Sequence, residues 1–188
     1  MGTADSTIPR TKGTGIAWLR ETVAAKGPAA DQAMAQALAP DDYRAYRTAM
    51  PISWVPEATA TRIFKAGGDV AFAGSPSPLI EVGRGMAKAN MTGVYSMLLK
   101  LATIPFIMSQ ASRLWRTYHD TGDASASDGP GRNELTFTVA AFPELPADMR
   151  QVLSGYLMGL GELTGARKVA VRLDESDPAA WKWRCTWD

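Results

Sequence analysis

Apolar side chains recur at steps of three and four over Leu79–Leu101. Val82, Met86, Val94, Met97, Leu98 and Leu101, with Asn90 and Gly93 in register, trace one helical face. A break at Thr103-Ile104-Pro105 separates this helix from a second, Pro105–Asp120, whose face carries Ile107, Met108, Ala111, Leu114, Trp115 and Tyr118. Proline lacks an amide N–H and fixes its own φ, so Pro105 suits the first turn of a helix. Small residues crowd the first of the pair: Gly83, Gly85, Ala87, Ala89 and Gly93. A glycine inside a helix costs roughly 0.8–1 kcal/mol relative to alanine. Such a cost at three sites signals close approach of another backbone or of a ligand.

Shorter helices precede the pair. Gly15–Lys26 places Ile16, Leu19 and Val23 on one face and stops at Gly27-Pro28. Ala29–Leu38 is alanine-rich, with Met34 and Leu38 as its larger apolar groups. Pro40-Asp41-Asp42 opens a third helix to Met50, its carboxylates favoured by the positive end of the helix dipole. A fourth runs from Pro56 to Ala66 and closes at Gly67-Gly68, with Trp54 just outside its start and expected to pack back onto the core. The loop Gly74–Pro78 follows, and Met1–Lys12 is polar and expected to be a loose leader.

After Gly122 the period changes to two. Glu134–Ala141 alternates Leu135, Phe137, Val139 and Ala141 with threonines and Glu134, the pattern of a half-buried strand. Asp123–Ser127 and Lys168–Leu173 are weaker strands. Trp181–Trp187 sets Trp181, Trp183, Cys185 and Trp187 on one face. Between the strand pairs, Pro146–Thr164 returns to helical spacing, with Gly155 and Gly159 one turn apart. The predicted class is α+β: N-terminal helices and two long central helices packed on a small C-terminal antiparallel sheet of about four strands, with one further helix between strand pairs. One globular domain over residues 13–188 follows the leader 1–12.

Charge and composition narrow the functions. The 20 basic and 19 acidic residues are interspersed, so the basic stripe of a nucleic-acid binder is missing. A lone cysteine, Cys185, rules out an internal disulfide and multi-thiolate metal sites. The first fifteen residues lack the apolar core of a secretion signal. No uninterrupted apolar run approaches the ~20 residues of a membrane span. A cytoplasmic protein with no transmembrane segment is expected.

No catalytic motif stands out, and neither a metal nor a cofactor is expected. The single histidine, His119, closes the second central helix, where a polar residue suits the dipole. No Gly-x-Ser-x-Gly elbow accompanies it, and Gly83-Arg84-Gly85 and Gly155–Gly161 match no phosphate-loop spacing. Asp41-Asp42 and Asp174-Glu175 read as solvated surface. The remaining signal is an inventory of methionine and aromatic residues, which adapt to varied apolar shapes. Met86, Asn90, Tyr95, Met97, Phe106, Met108, Trp115 and Tyr156 are the ligand-binding candidates, walls and polar groups of a small-molecule pocket. The expected function is non-enzymatic binding or sensing of a small apolar, aromatic or acyl ligand. The alternative is a protein–protein scaffold with a filled core, dimerising through exposed parts of the same helices. An enzyme is the weakest reading.

A set of residues in order adds a resemblance. Ser53-Trp54-Val55-Pro56, Gly83-Arg84, Thr92-Gly93-Val94-Tyr95, Pro105, Leu114-Trp115-Arg116-Thr117-Tyr118 with Asp120 and Gly122, Phe142-Pro143, Gly155-Tyr156-Leu157, Gly165-Ala166 and Trp187 run through nearly the whole chain. They resemble an uncharacterised bacterial family typified by myxobacterial proteins. That family is related to 4-vinyl reductase domains, the haem-NO-binding domain and Bet3-type subunits of the TRAPP tethering complex. The resemblance implies helices packed on a small antiparallel sheet around an apolar cavity, used in relatives for aromatic effectors, haem or an acyl chain. Two departures count against zinc and haem. The zinc-binding cysteine cluster of the aromatic-sensing relatives is missing, and no Tyr-x-Ser-x-Arg haem signature is present. His119 is expected beside the entry to the sheet rather than in the pocket.

Overall fold

A computed structural model describes residues 8–90, 103–177 and 179–188. Four strands form the main sheet: β3 (Asp123–Asp128), β4 (Glu134–Ala140), β5 (Ala170–Asp174) and β6 (Ala180–Thr186), preceded in the chain by the shorter β1 (Arg10–Lys12) and β2 (Trp54–Pro56). Their order is β3-β4-β6-β5, every neighbour antiparallel. Register pairs Leu135 with Cys185, Phe137 with Trp183 and Val139 with Trp181. All six are buried, so the period of two becomes one dry face, while Thr136, Thr138 and Arg184 occupy the wetter one.

The dry face is covered by α8 (Ala147–Leu163), the helix between the strand pairs. Two tryptophans fix the layer: Trp183 Nε1 donates to Ser154 Oγ at 3.0 Å on α8, and Trp181 Nε1 donates to the Phe142 carbonyl at 2.9 Å. Buried indoles are dear to leave unpaired, and both find acceptors. Burial also pushes the Cys185 thiol up to about 12, so it is a protonated, packed side chain.

On the other side of α8 lies α5 (Pro78–Asn90). Here the helical glycines find their use. A methyl at Gly83 would strike the Val152 carbonyl, and one at Gly155 would strike the backbone of Ile80. Gly159 fits against Arg84 and Ala87. The two backbones therefore touch, which only glycine permits. Arg84 closes the contact by pairing with Glu162, which Lys88 also meets at 3.3 Å.

The N-terminal part wraps this core. It comprises α1 (Thr14–Ala24), α2 (Pro28–Ala37), α3 (Pro40–Thr48) and α4 (Glu57–Ala71). The helix α4 does not close at Gly67-Gly68 as the sequence suggests; it continues to Ala71. Leu19 of α1 occupies the space a Gly67 side chain would need, so the glycine is a packing site and not a stop. A two-stranded ribbon pairs β1 (Arg10–Lys12) with β2 (Trp54–Pro56). This strand lies inside the stretch expected to be loose. Trp54 does not turn back to the core: it is 38% exposed, its ring under the Lys12 ammonium at 3.9 Å.

The second central helix is two pieces, α6 (Ile104–Ser109) and α7 (Ala111–Tyr118), broken at Gln110. Thr103 caps α6 by accepting from the Phe106 amide at 3.4 Å. The C-terminal half of the first central helix lies outside the described residues. Among those described, no helix is long and apolar enough to cross a membrane.

The glycine contact carries a prediction. Gly155→Ala should destabilise the fold by about 1–3 kcal/mol, the usual cost of overpacking. Gly74→Ala, with nothing within 4 Å of the added methyl, should stay within about 0.5 kcal/mol. Urea unfolding of both variants measures the contrast, and equal midpoints would refute it.

Candidate functional site

The space between α5, α7, α8 and the sheet is not fully packed. It holds a chamber of ≈ 80 Å³ as measured with a water-sized sphere. Val152, Tyr156 and Leu160 of α8 form one wall and Met86 and Asn90 of α5 another. Met108, Trp115 and Tyr118 close it from α6 and α7, with Phe137 of β4 as floor. The chamber exists because α5 and α8 are held at backbone contact while larger side chains flank that contact on both helices.

Five of the sequence candidates meet here: Met86, Asn90, Met108, Trp115 and Tyr156. Phe106 does not. It is 62% exposed, because α6 turns its neighbours Ile107 and Met108 inward. Tyr95 and Met97 lie outside the described residues.

Besides Thr11 and Lys12, polar groups enter the chamber at two places. At one, Asn90 Nδ2 donates to the Tyr156 hydroxyl at 3.4 Å. Burial pushes Tyr156 up to about 12 and also raises Tyr118, so both are neutral phenols at physiological pH.

At the other lies His119. It does follow the last residue of α7, as the sequence suggests, but it is buried in the chamber lining rather than set beside the sheet. Its ring stacks on Trp115, with centroids 3.9 Å apart and planes 11° from parallel. Nδ1 lies 3.2 Å from Oε2 of Glu57, in the first turn of α4. Glu57 is itself buried, and its Oε1 has no hydrogen-bond partner among the described residues. The Trp115 indole donates to the Thr121 carbonyl at 2.9 Å, which fixes the plate against which the imidazole lies.

The ribbon holds this corner in place. Thr11 bridges His119, and its hydroxyl donates to the Tyr118 carbonyl at 3.1 Å. Arg10 donates twice to Asp120, from its amide and from Nε, each at 2.7 Å. Burial alone would raise Asp120, but these bonds win and hold it below the usual carboxylate range. Glu57, Phe64 and Leu157 are parts of the site region that sequence reasoning did not select. Leu157 and Phe64 carry no mark separating wall from core, and Glu57 lies 62 residues from its partner.

Comparison with known proteins bears on the fold. The chain is similar to an unliganded Fe(II) H-NOX protein from K. algicida, at 12% identity over 94% of this chain and 96% of that one, TM-score 0.66. It is equally similar to an H-NOX protein from S. oneidensis in the Fe(II)NO state, at 12% identity over 94% and 99%, TM-score 0.66. A third H-NOX structure, solved to probe haem distortion, matches at 14% identity over 94% and 95%, TM-score 0.62. Identities this low show a shared fold and no more. No family model matches the sequence, and no curated protein does.

Those H-NOX proteins carry Fe(II) or haem, and the described residues of this chain do not fit a haem. Pockets for ligands of drug size run to roughly 300–1,000 Å³, several times the ≈ 80 Å³ here. The described lining includes no arginine for a haem's two carboxylates. Its one ammonium, Lys12, lies over Trp54 and donates to the Ile52 carbonyl at 3.2 Å. Among the described residues, no three His, Cys, Asp or Glu side chains gather to hold a metal ion.

Tyr156 gives a pH prediction. A phenol whose folded value, about 12, exceeds the unfolded value of about 10 stabilises the fold fully at pH below ~10. That contribution is lost as pH rises from ~10 toward about 12. Tyrosinate absorbance should show a late step, separate from ordinary tyrosines, which Tyr156→Phe removes. An unchanged titration in Tyr156→Phe would contradict the assignment.

Proposed function

We propose that this chain is a non-enzymatic sensory or binding domain whose chamber takes a small apolar ligand. The observation that carries the reading is the methionine- and aromatic-walled space beside a rigid backbone contact. A cavity of ~150 Å³ lined by aliphatic and aromatic groups binds benzene or xenon. The ≈ 80 Å³ here favours an occupant of a few heavy atoms over a full acyl chain. Tiny ligands gain at most ~1.5 kcal/mol per heavy atom, so a five-atom occupant binds no tighter than a few micromolar. The H-NOX likeness supports a sensory role by analogy of fold, with a chamber of different chemistry.

Xenon tests the reading directly. A saturable shift of dissolved xenon-129 resonance is expected with the wild-type chain. Leu153→Trp, which puts an indole into the lining, should abolish it while the circular dichroism spectrum is retained. A wild-type protein without a saturable shift would falsify the proposal.

A further inference from the structure

The chamber's apolar walls leave one feature unexplained, the buried Glu57–His119 pair. Burying a carboxylate and an imidazole costs several times what one hydrogen bond returns unless the remaining polar atoms are used. Among the described residues, Oε1 of Glu57 is buried without a hydrogen-bond partner, and the ring of His119 is bonded through Nδ1 alone. His119 lines the chamber, and its Nδ1 is committed to Glu57. Nε2 is thus the ring nitrogen left for an occupant.

The neighbours decide what Nε2 offers. Glu57 sits in the first turn of α4 and turns Oε2 toward the ring, 3.2 Å from Nδ1. An ionised carboxylate only accepts, so the hydrogen between it and the ring belongs to Nδ1. In the neutral imidazole this leaves Nε2 as a bare acceptor, the tautomer selected by the second-shell carboxylate. Trp115 lies parallel to the ring at 3.9 Å and blocks rotation toward any other partner.

We infer that Glu57 is a positioning residue that sets His119 as a hydrogen-bond acceptor at its end of the chamber, so that the occupant is a small apolar molecule bearing one hydroxyl. This rests on the proposal that the chamber binds a ligand. It adds the ligand's polar group and the residue that reads it. A pure hydrocarbon would leave Nε2 unpaired, and an anion would face an acceptor backed by a carboxylate.

His119 is the one histidine of the chain, so long-range proton–nitrogen NMR of the full chain reads this ring without overlap. Three measurements use it: the tautomer, the response to propan-2-ol, and the response to propane under gas pressure. The expected result is an Nδ1-protonated ring whose Nε2 resonance moves with propan-2-ol and not with propane, both displacing xenon. Glu57→Leu should shift the ring toward the Nε2-protonated tautomer and weaken propan-2-ol binding roughly three- to tenfold, the worth of one hydrogen bond. If that variant does not fold, the wild-type tautomer and the alcohol–alkane contrast decide. Xenon binding with an Nε2-protonated ring, or with equal responses to alcohol and alkane, overturns the hydroxyl inference and leaves the chamber standing. Absence of xenon binding overturns both.

Discussion

Backbone contact between α5 and α8 is the constraint on which the remaining structure depends. Gly83 and Gly155 let each helix rest on the other's main chain, and Gly159 continues the seam by one turn. A pair of helices ordinarily packs at 8–10 Å, spaced by side chains. Removing those side chains along one seam brings the axes closer and turns the bulky residues to either side. Met86 and Tyr156 flank a gap that neither helix can move to fill, bordered also by Gly15 of α1 and Phe64 of α4. Protein interiors are otherwise close-packed, and a void of this size persists only when its walls are held by something stiffer than the contacts it forgoes. The glycine seam, with Arg84 and Lys88 both on Glu162, provides that stiffness.

The sheet has the complementary role. Its dry face is aromatic and its indoles are tied, Trp183 to Ser154 and Trp181 to Phe142. A helix resting on such a face has one rotational setting, because turning α8 would break the Trp183 bond. That setting aims Tyr156 and Val152 at the chamber. Position therefore passes from the strand register through α8 to α5, and the chamber is where that chain of fixed parts leaves a remainder.

Much of this was legible from residue order. The alternation in β4 and β6 and the spacing in α5 and α8 arise from burial on one face, and burial is what apolar periodicity records. The glycines of α5 were legible too, since their helical cost demanded a close neighbour. What escaped depends on partners distant in sequence. Gly67 looks like a stop until Leu19 is seen filling its place. Arg10–Lys12 is three residues of mixed polarity, and only its pairing with β2 makes it a strand. Trp54 belongs by type in a core, yet two cations of that strand hold it at the surface. His119 read as a helix terminator because nothing near it in sequence reveals Glu57. Phe106 read as wall because a short helix gives too few turns to tell inside from outside.

The doubled hold of Arg10 on Asp120 has a mechanical meaning. Asp120 is the residue after His119, so the leading strand grips the main chain one peptide bond from the imidazole. A displacement of that strand reaches the ring through two hydrogen bonds and a bridge. Conversely, a displaced ring tugs on the strand. Strand β1 and the chamber's histidine corner are thus one connected piece, joined through Thr11 and Arg10.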